Sequence, residues 1–430
     1  MIGTPLGASV ARTTSPKVVV PFYVYAAVSF LAGTVLLLLS TDAIPGHWFQ
    51  PRLLALTHVM ALGWATMIIL GAGHQLFPVL IEADLWSEPL ARVTFWLAAL
   101  GIPLLVHGFF TFNLGWSAQL GGSMVVGAVL AFLVNMGMSI SGSKHENVHA
   151  VFVFTSAVWL LLTASLGLAL LFNFTSGVLP HNSLHYLALH AHMGIVGWFL
   201  LLVLGVGSRL IPLFLISKYH DPRLLWAVFL LVNTALLGHV VIFLLGGSTA
   251  LANLAVWLVV AALLLFAWYC RQAYVERIRR KVDDPMRVAL LSVGLMLLPS
   301  LLLLLLMAGL LVLRGGPQPG VLLYGFTIFF GWLTALILGM TFKTLPFIVW
   351  NRVYSPKTFI GKMPGPKDLF SNAIFRGMAV AYLAGFTSFA AGILAPSPLL
   401  LNIGAVLLLT AALAYNWNVA KLVMKKSERP

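Results

Sequence analysis

Apolar residues in this chain come in long unbroken runs. They show neither the alternation of a half-buried strand nor the three-and-four spacing of a surface helix. Twelve runs follow one another, near residues 18–40, 53–80, 90–112, 118–141, 149–172, 185–214, 223–245, 250–270, 288–313, 320–350, 374–395 and 398–422. A helix needs about 20 apolar residues to cross a bilayer, and each run supplies a stretch of that order. The pattern predicts an all-α integral membrane protein with twelve transmembrane helices. Residues 1–17 form a short tail, and 18–425 form one membrane domain with little room for a soluble one. The first run lacks a small-residue cleavage site and leads straight into further spans. It therefore reads as a retained helix rather than a removed signal peptide.

Three of the runs carry one motif. Around Gly63 the chain reads GWATMIILGAGHQLFP, around Gly197 GWFLLLVLGVGSRLIP, and around Gly331 GWLTALILGMTFKTLP. All fit Gly-Trp-x5-Leu-Gly-x6-Pro, and the copies start 134 residues apart, twice over. Each interval holds four runs, which predicts three four-helix units, about 18–141, 149–270 and 288–422, with the motif on the second helix of each. The small residues let helices approach where lipid offers no hydrophobic drive. The proline bends or ends a helix, as membrane helices tolerate. The tryptophan packs either on a neighbouring helix or on a flat ligand.

Composition supports the membrane reading: 60% of residues are hydrophobic and 8% charged, against about 25% charged in soluble domains. The formal charge of +14 is a topology signal. Lys144, Lys218 and Arg223, the stretch Arg271–Arg287 and the stretch Arg352–Arg376 fall on one face. Arg12 and Lys17 join them, as do Lys421, Lys425, Lys426 and Arg429. The opposite face holds only Arg52 and Arg314. The positive-inside rule then puts both termini in the cytoplasm, with the inner membrane of a bacterium as the expected location. No basic stretch comes with a folded soluble module, so a nucleic-acid partner is not expected. A single cysteine, Cys270, excludes an intrachain disulfide, a cysteine-held iron–sulfur cluster and a thiolate zinc site; it reads as filler at a helix end.

The histidines break the threefold pattern. Five residues before the motif glycines stand His58, His192 and Phe326. An ionisable residue inside a membrane is by default a functional candidate, and two at one repeat position say more than one. The bland alternative is a pair of histidines bonded to neighbouring helices. His58 and His192 fall about 10 Å below the outer surface at roughly 1.5 Å rise per residue. His190, His185, His107 and His239 collect in the same outer half, where no carboxylate is placed. An imidazole-rich, thiolate-free site suits haem iron or copper. Residues two apart on a helix point about 200° away from each other, so His190 and His192 face different compartments. At matched depth, His58 and His192 are the expected haem pair. His190 then serves a second site, a haem or a copper, with His239 or His107. Arg52 and Arg314 are candidates to meet the propionates of a haem. Gln75, Arg209 and Lys343, twelve residues past the motif glycines, read as side chains snorkelling to the interface. His145, His149 and His220 read as solvated loop residues, and His47 and His181 as outer-loop residues.

With His58, the His-Ala-His of residues 190–192 and the stretch GAGHQLFPVLIEADLWSEPLARVTFWLAAL in hand, the chain resembles the haem–copper oxidase subunit I superfamily. By motif the resemblance covers about 60 residues; by architecture it covers most of the chain. It implies twelve spans with the three four-helix units in a pseudo-threefold arrangement, a His-x-His pair giving one ligand to each of two haems, and a second-helix histidine as the other ligand of the low-spin haem. It implies b-type haem, with copper as a further cofactor. The chain departs from the family: its His-x-His lies in the second unit, and the His-Pro-Glu-Val-Tyr segment and the following His-His pair are missing. No intramembrane carboxylate is available for a proton channel, which argues against proton pumping. The reduced pattern is similar to the NnrS-like haem–copper membrane proteins, a group associated with nitric oxide stress.

The expected function is therefore that of a haem-binding membrane redox protein, handling electrons or a diatomic gas (nitric oxide or oxygen) at an outer-side bis-histidine haem. Its partners would be the bilayer and an external electron donor or partner subunit. Two alternatives stay open: a twelve-helix secondary transporter, and a non-catalytic haem or copper sensor or assembly factor. The transporter class commonly shows two six-helix halves and midplane sites, whereas this chain has a four-helix period and histidines gathered off-centre.

Overall fold

A computed structural model of the protein describes residues 14–142, 147–247, 249–278, 280–308, 318–354 and 364–425. Among these described residues, twelve helices are long and apolar enough to cross a membrane: α1 Pro16–Leu38, α2 Pro51–Ile81, α3 Glu88–Phe110, α4 Trp116–Ile140, α5 Val148–Ser176, α6 Ser183–Leu215, α7 Pro222–Leu244, α8 Asn253–Val275, α9 Asp284–Met307, α10 Gln318–Val353, α11 Asn372–Leu394 and α12 Pro398–Val423. The fold is that of a multi-pass, all-α membrane protein, and no β-strand occurs among the described residues. Polar residues at the run edges start the helices. Ser15, Ser87, Asn147, Asn182, Asp221, Asp283, Ser371 and Ser397 each cap one, their side chains accepting a free first-turn N–H.

The three motif helices are the most buried. Two thirds or more of their most apolar window is covered (67% for α2, 72% for α6, 67% for α10), against 22–56% for the other nine. The most extensive helix pairings are α11 with α12 and α3 with α4. The first helix before each motif helix packs on it: α1 on α2, α5 on α6, α9 on α10. Contacts of α4 with α5 and of α12 with α1 link these groups around the centre.

Each motif helix carries one wide, π-helical stretch: Val59–Thr66, Met193–Leu200 and Thr327–Leu333. All three begin one residue after His58, His192 and Phe326, so a local backbone feature recurs at the sequence interval of 134. Such stretches in a helix are frequently functional. The motif glycines sit against neighbours. A Cβ on Gly63 would fall 2.8 Å from Ser29 Oγ, one on Gly197 2.7 Å from Trp159 Cβ, and one on Gly331 2.9 Å from Phe386 Cε2.

Thr14 Oγ1 donates to the His74 carbonyl, and the Ser15 N–H donates to Glu88. The start of α1, the end of α2 and the start of α3 therefore share one end of the molecule, the tail end. His58, His190, His192 and His239 lie toward the other.

Candidate functional site: histidines at one end of the central helices

His58 stands two turns into α2, its ring 4.3 Å from that of Phe109 on α3. Its Nδ1 lies 2.8 Å from the Leu54 carbonyl. A carbonyl oxygen only accepts, so Nδ1 carries the proton and Nε2 keeps the lone pair. The same logic fixes two more rings. His190 Nδ1 is 3.1 Å from the Thr163 carbonyl of α5, and His192 Nδ1 is 2.7 Å from that of Ala188. Gly167, one turn past Thr163, makes room for the His190 ring: a Cβ there would fall 2.8 Å from its Cε1.

Depth alone pairs His58 with His192; the one ring contact between two of these histidines joins His192 to His239. His58 and His190 come within electrostatic reach of each other, but no ring contact or hydrogen bond joins them among the described residues. His192 faces His239 of α7, their ring centres 5.7 Å apart at 61°, and Tyr324 of α10 at 6.0 Å. No ring contact joins His58 to His192 among the described residues. The physical reason is azimuth. Residues two apart on a helix diverge by about 200°, so His190 turns toward α2 and α5 while His192 turns toward α7 and α10.

His192, His239 and Tyr324 line a cavity of about 210 Å³, together with Leu200, Met296 and Trp332. Two polar atoms at its walls are buried without a hydrogen-bond partner, His239 Nε2 and Trp332 Nε1. A metal–imidazole bond of about 2 Å puts two rings sharing one ion with centres roughly 5–6 Å apart. The separation of His192 and His239 is of that size. Imidazole pairs with free Nε2 atoms and no nearby carboxylate are a donor set that fits haem iron or copper. No cluster of three or more His, Cys, Asp or Glu side chains suited to a metal occurs among the described residues.

The third repeat position is closed. Phe326 stacks on Phe330, Phe386 and Phe389, with ring centres 5.2, 5.5 and 4.7 Å away. Two of the motif tryptophans, Trp64 and Trp198, pack against helices, and the third, Trp332, lines the cavity. Trp64 stacks on Phe30 at 4.6 Å and donates to Thr334 Oγ1 of α10. Trp198 donates to Thr66 Oγ1 of α2. By the repeat, Trp332 would donate to position 200 of α6, but the residue there is Leu200 and the indole N–H is left without an acceptor. Trp64→Phe and Trp198→Phe should each lower stability by about 1 kcal/mol more than Trp332→Phe, the net worth of one hydrogen bond. Thermal unfolding of the three variants in one detergent measures this, and equal losses would refute it.

The remaining candidates fall elsewhere. His107 is exposed at the end of α3 and joins neither pair. Arg52 forms an ion pair with Asp42 at 2.9 Å and donates to the Leu39 carbonyl at the end of α1. Arg314 lies outside the described residues. Lys343 does not snorkel: its ammonium meets Asp283 at 2.7 Å with its side chain only 10% exposed. His149 is no solvated loop residue. Asn147 caps α5 two residues earlier, which places His149 inside the helix, buried and 2.7 Å from Ser208 Oγ. Tyr324 escaped the sequence reading, and Trp332 entered it only as one of three motif tryptophans that pack on a helix or a flat ligand. The signal for Trp332 was present: copies one and three read Gly-Trp-x-Thr, and copy two has Leu200 in the threonine position.

Compared with known proteins, the chain matches no family model and no curated relative.

Proposed function

We propose that this chain is a haem-binding integral membrane redox protein of the oxidase subunit I type, handling electrons or a diatomic gas such as nitric oxide or oxygen. The observation that carries the reading is the His192–His239 pair: two imidazoles from different helices, one shared metal's width apart across a cavity, with a buried nitrogen left unpartnered. A bound water or ion, or a redox role, accounts for such an atom; His74 Nε2 is unpartnered too, so it is the second imidazole beside His239 that singles this pair out. His58 and His190 would hold a six-coordinate b-type haem. His192 and His239 would hold a second metal, haem or copper, beside room for a small ligand. The metals would supply electron transfer and gas coordination. The chain's own part is to fix each ring. Main-chain carbonyls hold the Nδ1 protons of His58, His190 and His192, which orients the ring and raises the basicity of Nε2. His74 has the same carbonyl bond but packs between Phe22 and Phe132 without a second imidazole, so it is not assigned a metal.

The fold reading that goes with this function is three four-helix units about a pseudo-threefold axis through α2, α6 and α10. Its support is the π-helical stretch recurring every 134 residues and the indole bonds from α6 to α2 and from α2 to α10. Two of the three equivalent positions then carry histidines and the third an aromatic plug. The charge asymmetry supports a bacterial inner-membrane location with cytoplasmic termini and the histidine end outward. An external electron donor or partner subunit completes the proposal.

The test is a reduced-minus-oxidised optical spectrum of the detergent-purified protein, with metal analysis by mass spectrometry. Soret and α bands, and iron bound in stoichiometric amount, are expected. A colourless, metal-free protein overturns the reading and favours a transporter.

A further inference from the structure

The indole bonds between the central helices form a cycle with one bond missing. Trp64 of α2 donates to Thr334 of α10 at 3.1 Å, and Trp198 of α6 donates to Thr66 of α2 at 3.0 Å. The third bond would run from Trp332 of α10 to position 200 of α6, where the chain has Leu200 in place of threonine. The Trp332 N–H is buried without a partner. A buried donor left without an acceptor costs stability, so its retention calls for a reason. The missing bond coincides with the histidine cavity: Leu200 and Trp332 both line it, together with His192 and His239. Trp332 also borders a second cavity, of about 130 Å³, among the central helices, but Leu200 does not. The repeat places the absent acceptor at position 200, which assigns the free N–H to the histidine side.

We infer that Trp332 is a specificity residue of the histidine cavity, its indole N–H donating a hydrogen bond to the outer atom of a polar diatomic such as nitric oxide held there. This role rests on the proposed reading of the cavity as a metal site for gas, and it adds a preference among gases. Coordinated nitric oxide gathers partial negative charge on its oxygen and accepts a hydrogen bond; coordinated carbon monoxide accepts one weakly. Donors beside a metal help decide which gas it holds. In a low-dielectric site a hydrogen bond is electrostatically stronger than in water. Threonine at position 200 would capture the indole, as in the other two copies, and withdraw the donor from the ligand. Leu200 keeps it free.

Two variants test it. Trp332→Phe removes the donor, and Leu200→Thr leaves the indole in place but supplies the missing acceptor. In the purified, reduced protein each should speed nitric oxide release about tenfold, the loss of one hydrogen bond. Each should also shift the N–O stretch in the infrared spectrum, and carbon monoxide release should stay nearly unchanged. Thermal unfolding gives a readout that needs no metal. Leu200→Thr should lower the melting temperature less, or raise it more, in the wild-type protein than in the Trp332→Phe background, because only the wild type has an N–H for the new hydroxyl to accept. Nitric oxide bound to the metal with release rate and stretch unaltered in both variants overturns the inference and leaves the metal reading standing. So does an equal change for carbon monoxide, which would mark altered packing. Equal effects of Leu200→Thr in the two backgrounds overturn it as well, since the indole would then not face position 200. A protein without metal fails at the earlier reading and takes this role with it.

Discussion

Replacing His58 or His190 with alanine is expected to weaken haem binding at that pair by at least about 100-fold, while His107→Ala leaves it unchanged. The size follows from coordination. Losing a residue that only supports a metal ligand costs about 10–100-fold in affinity, and removing a ligand itself costs at least the upper end of that range. The contrast follows from placement. His58 and His190 lie within electrostatic reach of each other and have carbonyl-fixed Nδ1 protons, whereas His107 is exposed at the end of α3. His74→Ala is the sharper control, because His74 is buried with the same carbonyl bond but has no imidazole partner. Haem content is read from the pyridine haemochrome spectrum against protein concentration, on the folded fraction from size exclusion. Equal haem in His58→Ala and His107→Ala would sink the assignment of the first pair. His192→Ala and His239→Ala should act on the other centre, removing the spectral response to added nitric oxide while the bands assigned to His58 and His190 persist.

The hydrophobic pattern made most of the architecture legible. The run at 185–214 is α6, Ser183–Leu215, and the run at 398–422 is α12, Pro398–Val423. A membrane leaves the backbone no choice but to satisfy itself inside each segment, so length and apolarity suffice to find the spans. The motif interval was equally legible, because glycines that touch neighbours recur at fixed places. Depth along a helix follows from residue number, which is why the histidines were gathered correctly in one half. Their pairing was not legible. It depends on which way each helix is turned about its axis, and only contacts such as His190 with Thr163 and His192 with His239 decide that. Lys343 was misread for a related reason. Its partner Asp283 is 60 residues away, and nothing near position 343 announces it.

Gly205→Val is expected to leave no folded protein in detergent, and Gly205→Ala to cost about 1–3 kcal/mol, the usual range for overpacking a filled core. A Cβ at Gly205 would sit 2.3 Å from Phe152 Cβ on α5. That atom is fixed by the α5 backbone and cannot swing aside, so α5 and α6 would have to part. The position recurs at Gly71, where a Cβ would meet Phe22 Cβ at 2.5 Å, and at Gly339, where it would meet the backbone of α9 at 2.6 Å. Gly207 provides the contrast two residues on. A Cβ there would meet the far edge of the Phe266 ring at 3.2 Å and the tip of Ile211 at 3.8 Å, and Gly207→Ala should cost less than about 1 kcal/mol because a ring edge can tilt. Monodispersity by fluorescence-detected size exclusion, followed over a temperature ramp, separates the two, and matched behaviour of Gly205→Ala and Gly207→Ala would refute the argument. Helices in lipid associate through close packing and not through hydrophobic drive, so the loss cannot be recovered by burying the added methyl. The consequence reaches the site. Helix α5 carries the Thr163 carbonyl that holds His190 Nδ1 and the Gly167 that makes room for its ring. Any Gly205→Ala protein that survives should therefore bind less haem at His58 and His190, and Gly207→Ala the normal amount.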